Sequence, residues 1–438
     1  MRLGFDGSCL ANRRGFGRFA RRLLAALAPK AAEQGHEVVV ILDAQSAGTV
    51  DLPESVVPRI VGVREAPGEA ASARGRRGLS DMLAMGRAAS RAKLDLMYFP
   101  ATYSFYPVWG VPRVVVTMHD TLTMEHPELV FPTRRGRAAW WLKEWVARRS
   151  SDRIVTVSET SKRFLMERLR LDADRIRVVG EAADPVFRPI RDQEAADAAL
   201  ARHGVGAGSR FLLYVGGLSP HKNLPRLVEA FAASAPDDVT LVLTGDFHDV
   251  FHTHVPEIRA AITRHRLDGR VILPGFVPDE DLAALYGRAY ALVFPSLLEG
   301  FGLPAVEAMA CGTPVVASRA GSLPEVVGDA GLFFDPLDVT DMTRALGAIL
   351  GDPGLRGSLA AAALRRSASF DWGRSATSLL AYFDELVPGG RPESGAGRSR
   401  GPRRTSRGAG GELGLNEIPR DAQLIRSPVR GGESRRSG

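Results

Sequence analysis

The stretch FPSLLEGFGLPAVEAMACGTPVVAS, from Phe294 to Ser318, decides the fold. An apolar run over residues 291–294 stops at Pro295, and a loop then carries Glu299-Gly300-Phe301-Gly302. Pro304 suits the first turn of a helix, where the N–H it lacks would have had no partner in any case. The turn Cys311-Gly312-Thr313-Pro314 leads into a second apolar run over 314–317. Strand, glycine-bearing loop, helix and strand are the repeating unit of a parallel sheet. The glycines admit a ligand close to the backbone, and the unbonded N–H groups of a helix start favour an anion. The loop therefore reads as a phosphate cradle at the carboxyl end of a strand.

Working outward, the same rhythm extends over most of the chain. Strand-like runs fall at 2–5, 37–42, 96–99, 113–117 and 153–157, and again at 211–215, 239–243, 271–273, 291–294 and 314–317. Helix-length segments separate them, such as 19–28, where Leu23, Leu24 and Leu27 share one face. Apolar runs this short, alternating with helices, predict parallel sheets covered on both faces. At 438 residues the chain suggests two such α/β domains, and DPVFRPI near 184–189 breaks the periodicity with two prolines.

The net charge of +7 does not mark a nucleic-acid binder, because residues 391–438 hold 11 Arg against 5 acidic residues and so carry +6 of it. That Gly-, Ser- and Arg-rich tail has no aromatic residue and is expected to be disordered, with 413–425 a segment that can fold on a partner. Two cysteines, Cys9 and Cys311, imply no disulfide framework. No signal-like apolar region opens the chain, and no run approaches the roughly 18–20 apolar residues of a membrane span. The expected location is cytoplasmic, with a peripheral place at the inner face of the cell membrane open.

Only five lysines occur, and Lys222 is the only one after residue 162. It lies in YVGGLSPHKNLPRLVEAF, where a strand ends at Gly216-Gly217 and a helix follows Asn223, so its charge adds to an anion site unless it is merely a solvated surface lysine. RVVVTMHDTLTMEHP places His119-Asp120 after another buried strand, as a site pair or as a strand-end hydrogen bond. Gly15-Phe16-Gly17-Arg18 follows the first strand, as a ligand loop, a dinucleotide fingerprint or a plain turn. For Glu299 and Glu307 the plain alternative is complementing the helix dipole. His248, His252 and His254 have no second cluster to complete a metal site, and Asp279-Glu280-Asp281 reads as the capped start of a helix over 281–286. No metal and no cofactor are expected.

The EGFGLPAVEAMACGTPVV string resembles the retaining glycosyltransferases of family 4, the group 1 glycosyltransferases, over about residues 1–387. The family's Glu-x7-Glu motif is matched by Glu299 and Glu307. The resemblance implies a GT-B fold, with two doubly wound, Rossmann-like domains facing across a cleft and a disordered tail after them. Residues 1–185 would be the acceptor side and 186–370 the nucleotide-sugar side, with a helix at 371–387 packing back and the tail at 388–438. It implies a hexose of mannose or glucose type carried by a GDP- or UDP-sugar, a glycan or lipid-linked acceptor, and front-face transfer with retention.

By the same resemblance Glu299 holds the donor sugar and Glu307 the nucleotide ribose, with Phe301, Gly302 and Leu303 offering backbone N–H groups. Lys222 faces the diphosphate, His119 reaches the donor sugar with Asp120 orienting it, and Gly15 and Gly17 wall the cleft. Ser158 falls in a string that positions the N-domain side, and Val277 in one that forms the base pocket. Gly217 departs from the pattern, standing where the family commonly has an Arg; Arg14, Arg18 or Arg319 are the candidates to replace it. The segment 134–149, RRGRAAWWLKEWVARR, reads either as a core helix with a wet basic face or as an interfacial helix near a lipid-linked acceptor. The rival functions are a GT-B epimerase or phosphorylase, which would use the same cleft, and a non-catalytic nucleotide-sugar sensor, which would be expected to lose Glu299, His119 or Lys222.

Overall fold

The computed structural model describes residues 1–12, 15–64, 78–131, 133–246 and 254–388. Arg14, His248, His252 and the basic tail with its 413–425 segment lie outside these residues.

Among the described residues, thirteen strands build two sheets, and every pairing is parallel. The first contains β1 (Arg2–Asp6), β2 (Glu37–Asp43), β3 (Val56–Val61), β4 (Leu96–Phe99), β5 (Arg113–Thr117), β6 (Arg153–Thr156) and β7 (Ile176–Val178). The second contains β8 (Arg210–Val215), β9 (Val239–Thr244), β10 (Val271–Gly275), β11 (Ala291–Phe294), β12 (Val315–Ser318) and β13 (Gly331–Phe334). Their orders, β3-β2-β1-β4-β5-β6-β7 and β10-β9-β8-β11-β12-β13, are both doubly wound. Each order reverses once, between β1 and β4 and between β8 and β11, and ligands of such sheets bind at the carboxyl ends there.

Ten of these strands coincide with apolar runs in the sequence. The exceptions, β3, β7 and β13, are edge strands. An edge strand need not be apolar on both faces, and β3 exposes Pro58, Arg59 and Ile60.

Helices cover both faces. Helix Gly15–Glu33 buries Phe19, Leu23, Leu24 and Leu27 on one side, and such burial contributes about 1.5–3 kcal/mol per large apolar side chain. Gly15-Phe16-Gly17-Arg18 is thus the first turn of a helix rather than a loop before one. Helix Trp372–Leu386 returns to the first sheet, where Phe383 packs on Tyr98 (5.4 Å between ring centroids) and Trp372 on Phe19 (5.9 Å).

Candidate functional site

The loop of residues 295–302 leaves β11 at the reversal point of the second sheet. Gly302 ends it with φ 100°, a left-handed conformation that admits glycine readily, and helix Leu303–Ala310 begins there. Gly300 is required for a different reason. A Cβ on it would stand 2.1 Å from the His119 carbonyl oxygen, across the cleft. Ser158 and Ser161 donate hydroxyl hydrogen bonds to the Gly300 carbonyl at 2.7 and 3.0 Å. Glu325 accepts from the Glu159 and Thr160 amides at 2.9 and 2.8 Å, completing the start of helix Glu159–Leu169 from the other sheet. The two sheets are therefore joined beside the loop by hydrogen bonds between side chains and backbone.

A cavity of about 370 Å³ opens between them. Gly15, His119, Gly217, Lys222, Glu299, Phe301, Gly302 and Leu303 all line it, although 287 positions separate the first from the last of the eight positions in the chain. Lys222 closes the 3₁₀ turn Pro220–Lys222 after β8, and Asn223, at φ 60°, starts the next helix. The Lys222 ammonium donates to Glu299 Oε1 at 2.5 Å. Cation, carboxylate and helix start thus converge at the reversal between β8 and β11.

His119 is held from the first sheet. Its Nε2–H donates to the Pro100 carbonyl at 2.9 Å, Nδ1 lies 3.4 Å from Glu181 Oε1, and Phe16 and Phe19 pack edge-on at 4.8 and 4.7 Å. The carboxyl beside the ring is Glu181, not Asp120, whose Oδ1 accepts from the Leu122 amide at 2.9 Å instead. Burial pushes the Glu181 carboxyl above its usual range against the pull of His119, and burial likewise raises Asp120.

Gly17, Val277 and Glu307 do not line the cavity. Gly17 packs against the Asn12 carbonyl, and Val277 lies in the core. Glu307, 3% exposed, accepts from the Tyr286 hydroxyl at 2.9 Å and from the Arg18 guanidinium. Arg18 also reaches Asp279 at 2.5 Å and stands 5.2 Å from the Phe187 ring. Burial raises the Glu307 carboxyl while Arg18 lowers it. Burial works against the charge on Arg18, but Glu307 and Asp279 outweigh it.

Arg18, a candidate for the charge missing at Gly217, is thus held by Glu307 and Asp279 and is not among the cavity's lining residues. Arg319 lies 5.7 Å from the Phe333 ring and is not among the cavity's lining residues. His221, which does line the cavity, is pushed well below its usual range by burial. Lys222 is the remaining permanent cation among the described lining residues.

Asp279, Glu280 and Asp281 occupy the first turn of helix Asp279–Arg288, which extends the expected 281–286 by two residues at each end. The cap is Pro278, without a side-chain bond, and the acids pair instead: Asp279 with Arg18, Asp281 with Arg202 and His203. Glu181, Tyr286, Ser161 and Glu325 could not be singled out beforehand, since their partners lie 21 to 166 positions away.

Two doubly wound parallel sheets, joined at a cleft whose loops present Lys222, Glu299 and a helix start, define a GT-B architecture. The family described as "Glycosyl transferases group 1" matches residues 197–366, and "Glycosyltransferase Family 4" matches residues 15–187. The O-antigen chain mannosyltransferase B of Escherichia coli is 33% identical over 286 residues, 65% of this chain and 73% of that protein. The D-inositol 3-phosphate glycosyltransferase of Salinispora arenicola is 33% identical over 300 residues, 65% of this chain and 66% of that protein. Among solved structures, the sucrose-phosphate synthase of Thermosynechococcus elongatus superposes with a TM-score of 0.68 at 20% identity, over 88% of this chain and 99% of that one. HepE of Anabaena, in complex with UDP and glucose, gives 0.64 at 20% identity, over 88% and 100%. The chain belongs to the group 1, family 4 glycosyltransferases and is a transferase of the GT-B type. No helix among the described residues is long and apolar enough to cross a membrane.

Proposed function

We propose that the chain transfers a hexosyl group of mannose or glucose type, with retention, from a GDP- or UDP-sugar to a glycan or lipid-linked acceptor. The observation that carries this reading is the convergence of Lys222, Glu299 and the Gly302–Leu303 helix start on one cavity. Lys222 and the helix N–H groups would face the diphosphate, and Glu299 the sugar hydroxyls. As the bond between the anomeric carbon and the phosphate oxygen lengthens, charge grows on that oxygen, and fixed donors there lower the barrier. The acceptor hydroxyl would attack the same face and pass its proton to the departing phosphate. Products are the glycosylated acceptor and the nucleoside diphosphate, and no step calls on a metal. The Glu181–His119 contact would hold the ring against the sugar. Assigning the ribose to Glu307 requires Arg18 to give up its contact there, since that carboxylate is already held by Arg18 and Tyr286.

The test is nucleotide release from a panel of UDP-, GDP- and ADP-sugars, with and without glycan acceptors, and the anomeric configuration of any product by proton NMR. Lys222→Ala should lower the rate by about 10²–10³-fold, as loss of one fixed donor to a developing oxyanion does. No release with any donor, or an inverted product, refutes the reading.

A further inference from the structure

Helix Arg134–Ser150 is amphipathic in the wrong sense for a helix that merely packs. Its one acidic residue, Glu144, is 9% exposed, whereas Trp141 and Trp145 are 66% and 43% exposed and Leu142 is exposed as well. Burying a carboxyl while leaving indoles in water runs against the usual partition. It thus matches neither a core helix with a wet basic face nor an ordinary surface helix. Beside it lies a second cavity, of about 500 Å³, lined by Trp140, Trp141, Trp145, Arg134, Arg137 and Arg148 among others.

This cavity adjoins the cleft. Thr123, Trp140 and Glu144 line both. Glu144 Oε2 accepts from the Thr123 hydroxyl at 3.5 Å and hydrogen-bonds the Trp140 side chain, and Arg148 acts on its charge. Phe131 packs 5.8 Å from Trp140 and holds that ring at the junction. Arg168, which also lines the second cavity, is paired with Glu125. Arg134 and Arg137 have no carboxylate partner among the described residues.

We infer that this trough is the acceptor subsite and that it takes a saccharide bearing an anionic group, a phosphate or a carboxylate. The assignment rests on the transferase reading above. Indole faces suit the apolar faces of sugar rings, and a guanidinium fork suits phosphate and carboxylate oxygens. Thr123, Trp140 and Glu144 belong to the walls of both trough and cleft, so a saccharide lying along the trough would present its end beside the cavity that holds Lys222 and Glu299. Glu144 stands where it can accept from that terminal sugar's hydroxyls as a positioning residue.

The experiment is a tryptophan-fluorescence titration of the full chain without donor, using three probes: a neutral hexose disaccharide, the same disaccharide as a phosphomonoester, and one with a uronic carboxylate. The two anionic probes should bind about tenfold more tightly than the neutral one, the worth of one charged hydrogen bond. The double variant Arg134→Ala/Arg137→Ala should abolish that preference, and Trp145→Ala should weaken all three probes about five- to tenfold. Both substitute exposed or half-buried side chains, and circular dichroism checks their folding. Preference for the phosphomonoester alone identifies phosphate as the anion, and equal preference for both identifies charge in general; either supports the assignment. Equal affinity for all three probes overturns it, as does preference surviving in the double variant. It is also overturned if the double variant loses only co-sedimentation with phosphatidylglycerol vesicles, which would make this face a lipid contact. Nucleotide release by the unaltered chain, measured without saccharide, reports separately on the transferase reading.

Discussion

Replacing Arg18 with Met separates the two halves of a buried contact that spans the cleft. Glu307 lies in the second half of the chain at 3% exposure, and Arg18 reaches it from helix Gly15–Glu33 in the first. With Arg18 gone, the carboxylate keeps only the Tyr286 hydroxyl at 2.9 Å. Removing one partner of a buried ion pair costs about 3–5 kcal/mol, because the other charge is left uncompensated. The Arg18–Asp279 contact adds little, since Asp279 is 37% exposed on its side chain and such pairs contribute about 0–1 kcal/mol. The loss must depend on pH. Burial already raises the native Glu307 carboxyl above its ordinary 4.5, and losing Arg18, which lowers it, raises it further. The native variant therefore keeps its proton where the unfolded chain has released it, so its stability falls as pH rises from that ordinary value through the raised one. Urea unfolding should show the full deficit at pH 8 and a much smaller one near pH 4.5. The double variant Arg18→Met/Glu307→Gln should recover most of the loss, as a neutral pair leaves no stranded charge. A deficit under about 1 kcal/mol at pH 8, well below the range for a broken buried pair, would refute the reasoning, and so would a deficit equal at both pH values.

Glu144 is pushed up to about 7, chiefly by burial, so its ionisation opposes folding as pH rises from its ordinary 4.5 through 7. Glu144→Gln should be more stable than the parent at pH 8 by up to about 3 kcal/mol and no more stable at pH 4.5. Melting curves at the two pH values check this, and a difference that does not change with pH contradicts it. Gly300→Ala would place a methyl 2.1 Å from the His119 carbonyl and part the two loops that Ser158 and Ser161 hold together. Because a shift of about 1 Å near reacting groups can cost on the order of 10²-fold, kcat/KM should fall at least tenfold, and a change within twofold would show that the loops tolerate separation.

What could be read beforehand follows from where each feature is encoded. The interior strands are legible because a parallel strand buried on both faces must be apolar along its length, as Val39, Val40 and Ile41 are. Edge strands β3, β7 and β13 escape that requirement and with it the signal. The loop beside the cavity was legible for a similar reason: Gly302, Pro304 and Lys222 each serve a local need, a left-handed turn, a helix start or a charge beside one. Partnerships across the cleft carry no local mark. Nothing in GEAADPV distinguishes Glu181 as the carboxyl beside His119, whereas Asp120, its chain neighbour, looks the natural choice and turns to the Leu122 amide instead. Arg18 illustrates the same limit in the other direction. As a basic residue in a glycine-bearing stretch it suggested a phosphate ligand, but its charge is already engaged by Glu307 and Asp279. The chain thus leaves Lys222 as the permanent cation of the described cavity lining and uses a second cation to hold a carboxylate of the Glu-x7-Glu motif. On the transferase reading, donor binding then competes with a contact between the two halves, so substitutions at Arg18 should move donor affinity and stability in opposite directions.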